Sequence, residues 1–201
     1  MKKIFITSLF VILLTGSFMF AQTAAIDSKA PNFTLKDSKG NTHSLSDFAG
    51  KTVVLEWINY DCPFVKKHYD GKNMQKLQKE YAEKGVIWLA ICSSAPGKQG
   101  NFSIEEITKR SNAHGFAAAA YLIDEDGKVG KLYDAKTTPH MYVINPEGNL
   151  VYAGAIDSIS SSDKADIDKA EKYVVNALNS VLAGEAVTTK TTKPYGCSVK
   201  Y

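Results

Sequence analysis

The sequence predicts an α/β protein: a mixed central sheet flanked by helices, with an N-terminal β-hairpin and a C-terminal extended arm. Three observations lead there. Two short apolar runs, Val53 to Ile58 (interrupted only by Glu56) and Val86 to Ile91, suit strands covered on both faces. Between them Met74, Leu77 and Tyr81 recur at helical spacing, and strand, helix, strand in that order makes a right-handed crossover between parallel strands. Turn signals outside this unit, Gly40 in "DSKGN" and Asn145-Pro146-Glu147-Gly148, add hairpins.

The chain has 201 residues, 44% hydrophobic and 22% charged, which suits one globular domain with appendages. Lys2 and Lys3, the apolar run Ile4 to Phe20 and the small residues Ala21, Ala24 and Ala25 have the pattern of a secretory signal. That run falls short of the ~20 residues a spanning helix needs, and no cysteine precedes Cys62 to carry a lipid. The expected organisation is a signal peptide over 1–21, a domain over 26–184 and an arm over 185–201. The mature protein is expected to be exported, periplasmic or secreted, with no membrane span after processing. Without Lys2 and Lys3 the net charge of +3 falls to about +1, which gives no support for a nucleic-acid partner.

Phe33, Leu35 and Leu45 lie on the two runs of the first hairpin, and Ser46 is expected to cap a helical turn ending at Gly50. The first crossover helix is expected to break near Gly71 and stop at Gly85. Ser103 with Glu106 reads as a capping box before Ile104 and Ile107. Strands follow at Ala118–Ile123, Met141–Ile144 and Leu150–Tyr152, with a helical piece over Val129–Tyr133. Ile167, Ala170, Val174, Ala177, Leu178 and Val181 predict one helix over Lys164–Ala183. The tail "EAVTTKTTKPYGCSVKY" has no periodicity.

The chemistry centres on Cys62. It follows a strand and precedes Pro63, and proline suits the first helical position because its missing N–H would have no partner there. Cys62 is thereby placed where free backbone N–H groups and the positive end of the helix dipole converge, which lowers a thiol pKa from its usual ~8.5 and favours the reactive thiolate. Lys66 and Lys67 add positive charge in the same turn. Three cysteines are too few for a disulfide scaffold, and an odd count in an exported chain points to a free reactive thiol or an intermolecular pair. Thr138-Pro139 runs directly into a strand, where proline is awkward because it cannot donate to the ladder. His68 lies on the Cys62 helix. His140 could stand near Cys62 as base or thiolate partner, with a polar-rim position as the plain alternative. Glu56, inside an apolar strand, either faces the surface or is a buried carboxylate.

The stretch "VVLEWINYDCPFVKKHY" resembles the active-site region of thioredoxin-fold proteins, especially exported thiol-disulfide proteins and the peroxiredoxin-like AhpC/TSA "redoxin" branch. "APNFTLKDSKGNTHSLSDFAGK" resembles the hairpin that precedes the core in redoxins. The resemblance implies a thioredoxin-like fold with Cys62 as nucleophile, and a cis Thr138-Pro139 bond that leaves backbone groups free for a substrate strand. Thr138, Pro139, Tyr60 and Pro63 form the implied substrate-binding set. A buried Glu56 would move protons beneath the cysteine. Val65 stands where such proteins carry a second cysteine, and the peroxidase pattern Pro-x-x-x-Thr-x-x-Cys is absent.

Disulfide exchange needs a second thiol to resolve the mixed disulfide. Cys197, in a Gly-Cys ending closed by Lys200 and Tyr201 that also resembles relatives of this branch, is one candidate. Cys92 at the end of the adjacent strand is another, and a one-cysteine enzyme is the third option. The expected activity is thiol-disulfide exchange with protein thiols or disulfides and an external thiol reductant. A peroxidase acting on a hydroperoxide through Cys62 is the alternative; a copper-binding or non-catalytic module comes next. No cofactor or metal is expected, since a single cysteine in "CPFV" is a poor soft-metal site.

Overall fold

The computed structural model describes residues 23–201, and the expected signal peptide over 1–21 lies outside them. Strand β1 (Thr34–Asp37) pairs antiparallel with β2 (Thr42–Ser44). Asp37 holds the hairpin turn by accepting the backbone N–H groups of Lys39 and Asn41, both at 2.8 Å. The helical turn after β2 spans Leu45–Phe48, and its cap is Ser44 rather than Ser46: Asp47 reaches back to the Ser44 N–H at 2.7 Å.

The crossover unit comes next. Strand β3 (Val53–Trp57) leads to α1 (Pro63–Asp70), α2 (Asn73–Glu83) and β4 (Ile87–Cys92). β3 and β4 are parallel, in register from Val53↔Ile87 to Trp57↔Ile91. The break near Gly71 is made by Lys72, which takes the left-handed conformation at φ 58°. Helix α3 (Ile104–His114) begins with the Ser103 hydroxyl accepting the Glu106 N–H and ends at Gly115. Strand β5 (Ala120–Ile123) lies parallel to β4, and α4 (Lys128–Leu132) follows. Then come β6 (Thr137–Thr138), β7 (His140–Ile144) and β8 (Leu150–Gly154). β7 runs antiparallel to both β3 and β8, so the seven-stranded sheet has the order β2-β1-β5-β4-β3-β7-β8.

Alternation along β3 divides the core. Val53, Leu55 and Trp57 pack with Phe33, Tyr133 and Tyr142 on one face. Val54 and Ile58 pack with Met74, Tyr81 and Leu178 on the other, so Glu56 necessarily points among the helices on that second face.

The single helix expected over Lys164–Ala183 is two elements: a 3-10 turn at Lys164–Asp166, then α5 (Tyr173–Leu182). Asp163 caps the turn through the Ala165 N–H at 2.9 Å, and Ser161 donates to Asp166 at 2.7 Å. Ser158 and Glu171 are joined by two hydrogen bonds, which hold the intervening chain against the preceding loop. Ile167 and Ala170 are buried there without being helical, so apolar spacing alone overstated the helix.

After α5 the chain returns across the sheet. Thr192 donates its N–H to Ala153, and its Oγ1 accepts the Ala155 N–H at 2.9 Å. Gly154 permits this approach, since a Cβ there would lie 2.2 Å from Thr192 Oγ1. The last strand, β9 (Cys197–Ser198), pairs antiparallel with β6. Beyond it, Lys200 O accepts the Ala95 N–H at 2.8 Å and the Tyr201 hydroxyl donates to Ala135 O at 2.8 Å. The arm therefore roofs the carboxyl ends of the central strands, where the crevice of an open α/β sheet lies. Among the described residues, no helix is long and apolar enough to cross a membrane.

Candidate active site

Cys62 is the N-cap of α1, with extended backbone at φ −73° and ψ 124° and Pro63 directly after it. Its carbonyl accepts the Lys66 N–H at 2.9 Å, the first bond of the helix. The loop before it is held at three points. Cys62 N–H donates to Asn59 O at 3.0 Å, the Asn59 side chain accepts the Asp61 N–H at 2.9 Å, and Asp61 pairs with Arg110 of α3 at 2.7 Å. The thiol is completely buried, although Pro63 beside it is exposed. What covers it is the arm.

The Thr138-Pro139 bond is cis. The Cys62 thiol donates to the Thr138 carbonyl at 2.9 Å, and the Cys197 N–H donates to Cys62 Sγ at 3.4 Å. The β6–β9 register places Thr138 opposite Cys197 and Thr137 opposite Ser198. The arm thus occupies the strand-pairing edge at the cis-proline. Gly196 makes this fit: it sits at φ 138°, and a Cβ there would fall 2.1 Å from Thr138 O.

The two thiols shift in opposite directions. Burial pushes the Cys62 thiol up, but hydrogen bonds from Cys197, from the Thr138 side chain and from the Val65 backbone outweigh it, and the net direction is down. Burial and the adjacent Cys62 raise Cys197 to about 11. Burial also raises Cys92, against smaller downward pulls from hydrogen bonds with Ser94 and Tyr121. We therefore expect iodoacetamide at neutral pH to modify Cys62 of the reduced protein before either of the others, as read by peptide mass spectrometry. Equal rates at all three thiols would mean that the helix terminus does not hold a thiolate.

The other sequence candidates lie as follows. Cys92 donates toward Ser94 Oγ and Gly100 O, each at 3.4 Å, and its environment is Tyr121 and the loop after β4. His140 pairs with Trp57 in register. Its Nδ1 meets the Tyr142 hydroxyl at 2.9 Å and the Lys136 N–H at 3.3 Å, so the contacts of its ring are with those groups and not with the thiol. Tyr60 is fully buried, bonded to Ser111 and stacked on His114 with ring centroids 4.9 Å apart. It supports the loop from below and offers no surface to a substrate. Glu56 is buried and accepts from Tyr69 at 3.0 Å, Gln78 at 3.1 Å and Trp88 at 2.8 Å. Burial lifts its carboxyl to about 7 against the pull of those three donors.

The lysines do not act as expected. Lys67 is buried, with Nζ donating to Ile159 O at 3.0 Å and lying 3.6 Å from Asp157. Lys66 is exposed, and neither lysine is among the causes of the Cys62 shift. Three residues around the site carry no local sequence signal: Arg110, Asp157 and Tyr195. Only the glycine before Cys197 hinted at the tight bend. Among the described residues, no group of three or more His, Cys, Asp or Glu side chains could hold a metal ion.

A thiol at the start of the helix after a central parallel strand, facing a cis-proline loop, is the arrangement of thioredoxin-like oxidoreductases, and this chain is of that class. The AhpC/TSA family pattern matches residues 26–153, more than half the chain, and the chain belongs to that family. It is similar to the thiol-disulfide oxidoreductase ResA of Bacillus subtilis, at 29% identity over 124 residues. That match covers 62% of this chain and 64% of the relative's length. Among solved structures, it resembles the hypothetical protein SMc02350 of Sinorhizobium meliloti with a TM-score of 0.75 and 26% identity, covering 90% of this chain and 96% of that one. An uncharacterized conserved protein of Geobacillus kaustophilus aligns with a TM-score of 0.74 and 29% identity, covering 88% and 92% respectively. The fold is thioredoxin-like, as the sequence predicted.

Proposed function

We propose that this protein is an exported thiol-disulfide oxidoreductase in which Cys62 is the nucleophile and Cys197 the resolving thiol. The observation that carries the reading is the seat of Cys197 across from Cys62, with its N–H 3.4 Å from the thiol sulfur. The activity named for the Bacillus relative supports the reaction class. The basic start and apolar run before Ala21 support export. In this reading residues 1–21 are the signal, 26–184 the catalytic domain and 185–201 the resolving arm.

The arm lifts and a substrate strand takes its place along Thr138 beside Pro139. The Cys62 thiolate attacks a substrate disulfide, forming a mixed disulfide and releasing one substrate thiolate, which takes up a proton. The arm returns, and the Cys197 thiolate attacks Cys62 Sγ. That step releases the second substrate thiol and leaves a Cys62–Cys197 disulfide, which an external dithiol reduces. Part of the upward shift of Cys197 comes from the Cys62 neighbour. Once Cys62 is bound in the mixed disulfide, that part disappears and Cys197 ionises more readily when it is needed.

The test is a turnover assay with a disulfide-bonded polypeptide and dithiothreitol, combined with peptide mapping of the oxidised protein. We expect catalysed reduction and an intrachain Cys62–Cys197 link. Faster turnover of hydrogen peroxide than of disulfides would replace this reading with a peroxidase, and a Cys62–Cys92 link would remove the role given to the arm.

A further inference from the structure

The arm is attached close to Cys197 at a second point that takes no part in the redox step. Tyr195 lies two residues before Cys197 and is buried. Its hydroxyl donates to the Asp157 carboxylate and lies 3.3 Å from His68 Nε2. Its ring meets Phe64 edge-on with centroids 5.8 Å apart, and Lys67 Nζ stands 5.5 Å from the ring centroid. Phe64, Lys67 and His68 all belong to α1, the helix that Cys62 caps.

We propose that Tyr195 is a latch, a positioning residue seated on Phe64, Lys67, His68 and Asp157, that holds the arm closed and keeps Cys197 over Cys62. The inference deepens the proposed function, because it rests on Cys197 as the resolving thiol. Asn73 Nδ2 donates to His68 Nδ1 at 2.9 Å, so Nε2 carries the ring proton and faces the Tyr195 oxygen. The tyrosine O–H then continues the chain to Asp157. The Asp157 charge is balanced by Lys67, which has no exposure to water. A seat built this way fits a hydroxyl on an aromatic ring: the ring fills the space by Phe64, and the hydroxyl completes a buried polar chain that is costly to leave unfilled.

The link from seat to thiol is short. Gly196 is the only residue between Tyr195 and Cys197, and its close approach to Thr138 leaves no room for a side chain. With Tyr195 seated, Cys197 falls at Thr138. With Tyr195 out of its seat, the arm loses its anchor between Thr192 and Cys197, and only the β6–β9 pairing and the Lys200 and Tyr201 contacts still hold it down. The latch therefore sets two quantities in opposite senses. A closed arm raises the effective concentration of Cys197 at Cys62, and it also slows the access of other reagents to Cys62.

The experiment compares the wild-type protein with Tyr195→Phe, which keeps the ring, and Tyr195→Ala, which removes it. The Cys62–Cys197 disulfide is equilibrated with glutathione, one glutathione disulfide being exchanged for two glutathione thiols. In parallel, the alkylation rate of Cys62 is measured in a Cys197→Ser background, where no disulfide is needed. A hydrogen bond to a charged partner is worth roughly tenfold or more in an equilibrium. Tyr195→Phe should therefore lower the disulfide equilibrium constant about tenfold and raise the Cys62 alkylation rate by a similar factor, with larger effects for Tyr195→Ala. A side chain that merely stabilised the body would not move these two readouts in opposite directions. Fluorescence of the buried Trp57 and Trp88 checks that the body stays folded. Unchanged alkylation in both variants overturns the latch. If the wild-type protein forms no Cys62–Cys197 disulfide in glutathione buffer, the resolving role fails, and the alkylation rates still decide whether Tyr195 holds the arm.

Discussion

Replacing Cys197 with serine should stop the cycle at a mixed disulfide on Cys62, because no second thiol remains in reach to displace the bound partner. Non-reducing electrophoresis of the variant incubated with a disulfide substrate should show this adduct accumulating, and mass spectrometry should place it on Cys62. Cys62→Ser should give no adduct and lose on the order of a thousandfold or more in turnover, since it removes the group that forms the covalent bond. Cys92→Ser should turn over normally. Cys92 has Ser94 and Gly100 O as polar neighbours, so a hydroxyl is accommodated there at a cost of about 1 kcal/mol in stability. Normal turnover of Cys197→Ser with an external thiol would make this a one-cysteine enzyme and remove the resolving step. An adduct on Cys92 would reassign the nucleophile.

The second large effect is on stability against pH, and its sign separates three buried groups. Burial lifts Glu56 from 4.5 to about 7 in the folded protein. Between those values the folded state binds more protons than the unfolded one, so this group makes stability fall as pH rises through the window. Burial lowers His68 and His140 from 6.5 to about 4. Between those values the unfolded state binds more protons, so the histidines make stability fall as pH drops. In wild type the slopes oppose each other from about pH 4.5 to 6.5. Glu56→Gln removes one of them. Relative to wild type, the variant should gain on the order of 3 kcal/mol between pH 4.5 and 7, as measured by urea unfolding at a series of pH values. Its absolute stability carries a separate penalty that does not depend on pH. The new amide N–H groups meet the donors of Gln78 or Trp88, or that of Tyr69, whichever way the side chain turns. Parallel curves for the two proteins would show that Glu56 is charged throughout the range.

Much of the frame was legible because its signals are local. The runs that became β3 and β4 declare themselves through consecutive apolar residues, and the parallel crossover follows from their order. Cys62 could be placed at a helix start because Pro63 follows it, and Thr138-Pro139 stood out because proline opens a strand. The alternation along β3 allowed Glu56 to be buried or exposed. Only the packing of α1 and α2 on that face, which brings Tyr69 and Gln78 to the carboxylate, decided for burial.

Where sequence reasoning failed, the deciding contacts came from distant parts of the chain. Lys67 looked like a charge for the thiol, but Asp157 and the Ile159 carbonyl draw it into the protein. For His140 the sequence left open a place near Cys62 or one at a polar rim, and the fold brings its Nδ1 to Tyr142 and the Lys136 backbone. The helix over Lys164–Ala183 was read from apolar spacing, which buried irregular chain satisfies as well.

The arm is the clearest case. By itself the sequence determined a cysteine at a helix start on an α/β frame and a tail bearing a further cysteine. The tertiary structure alone decided that this tail lies on the cis-proline edge with Cys197 against Cys62. The reason is physical: backbone pairing at Thr138, the space that Gly196 leaves open and the single seat of Tyr195 hold it there, and such contacts impose no periodicity on the residues that make them.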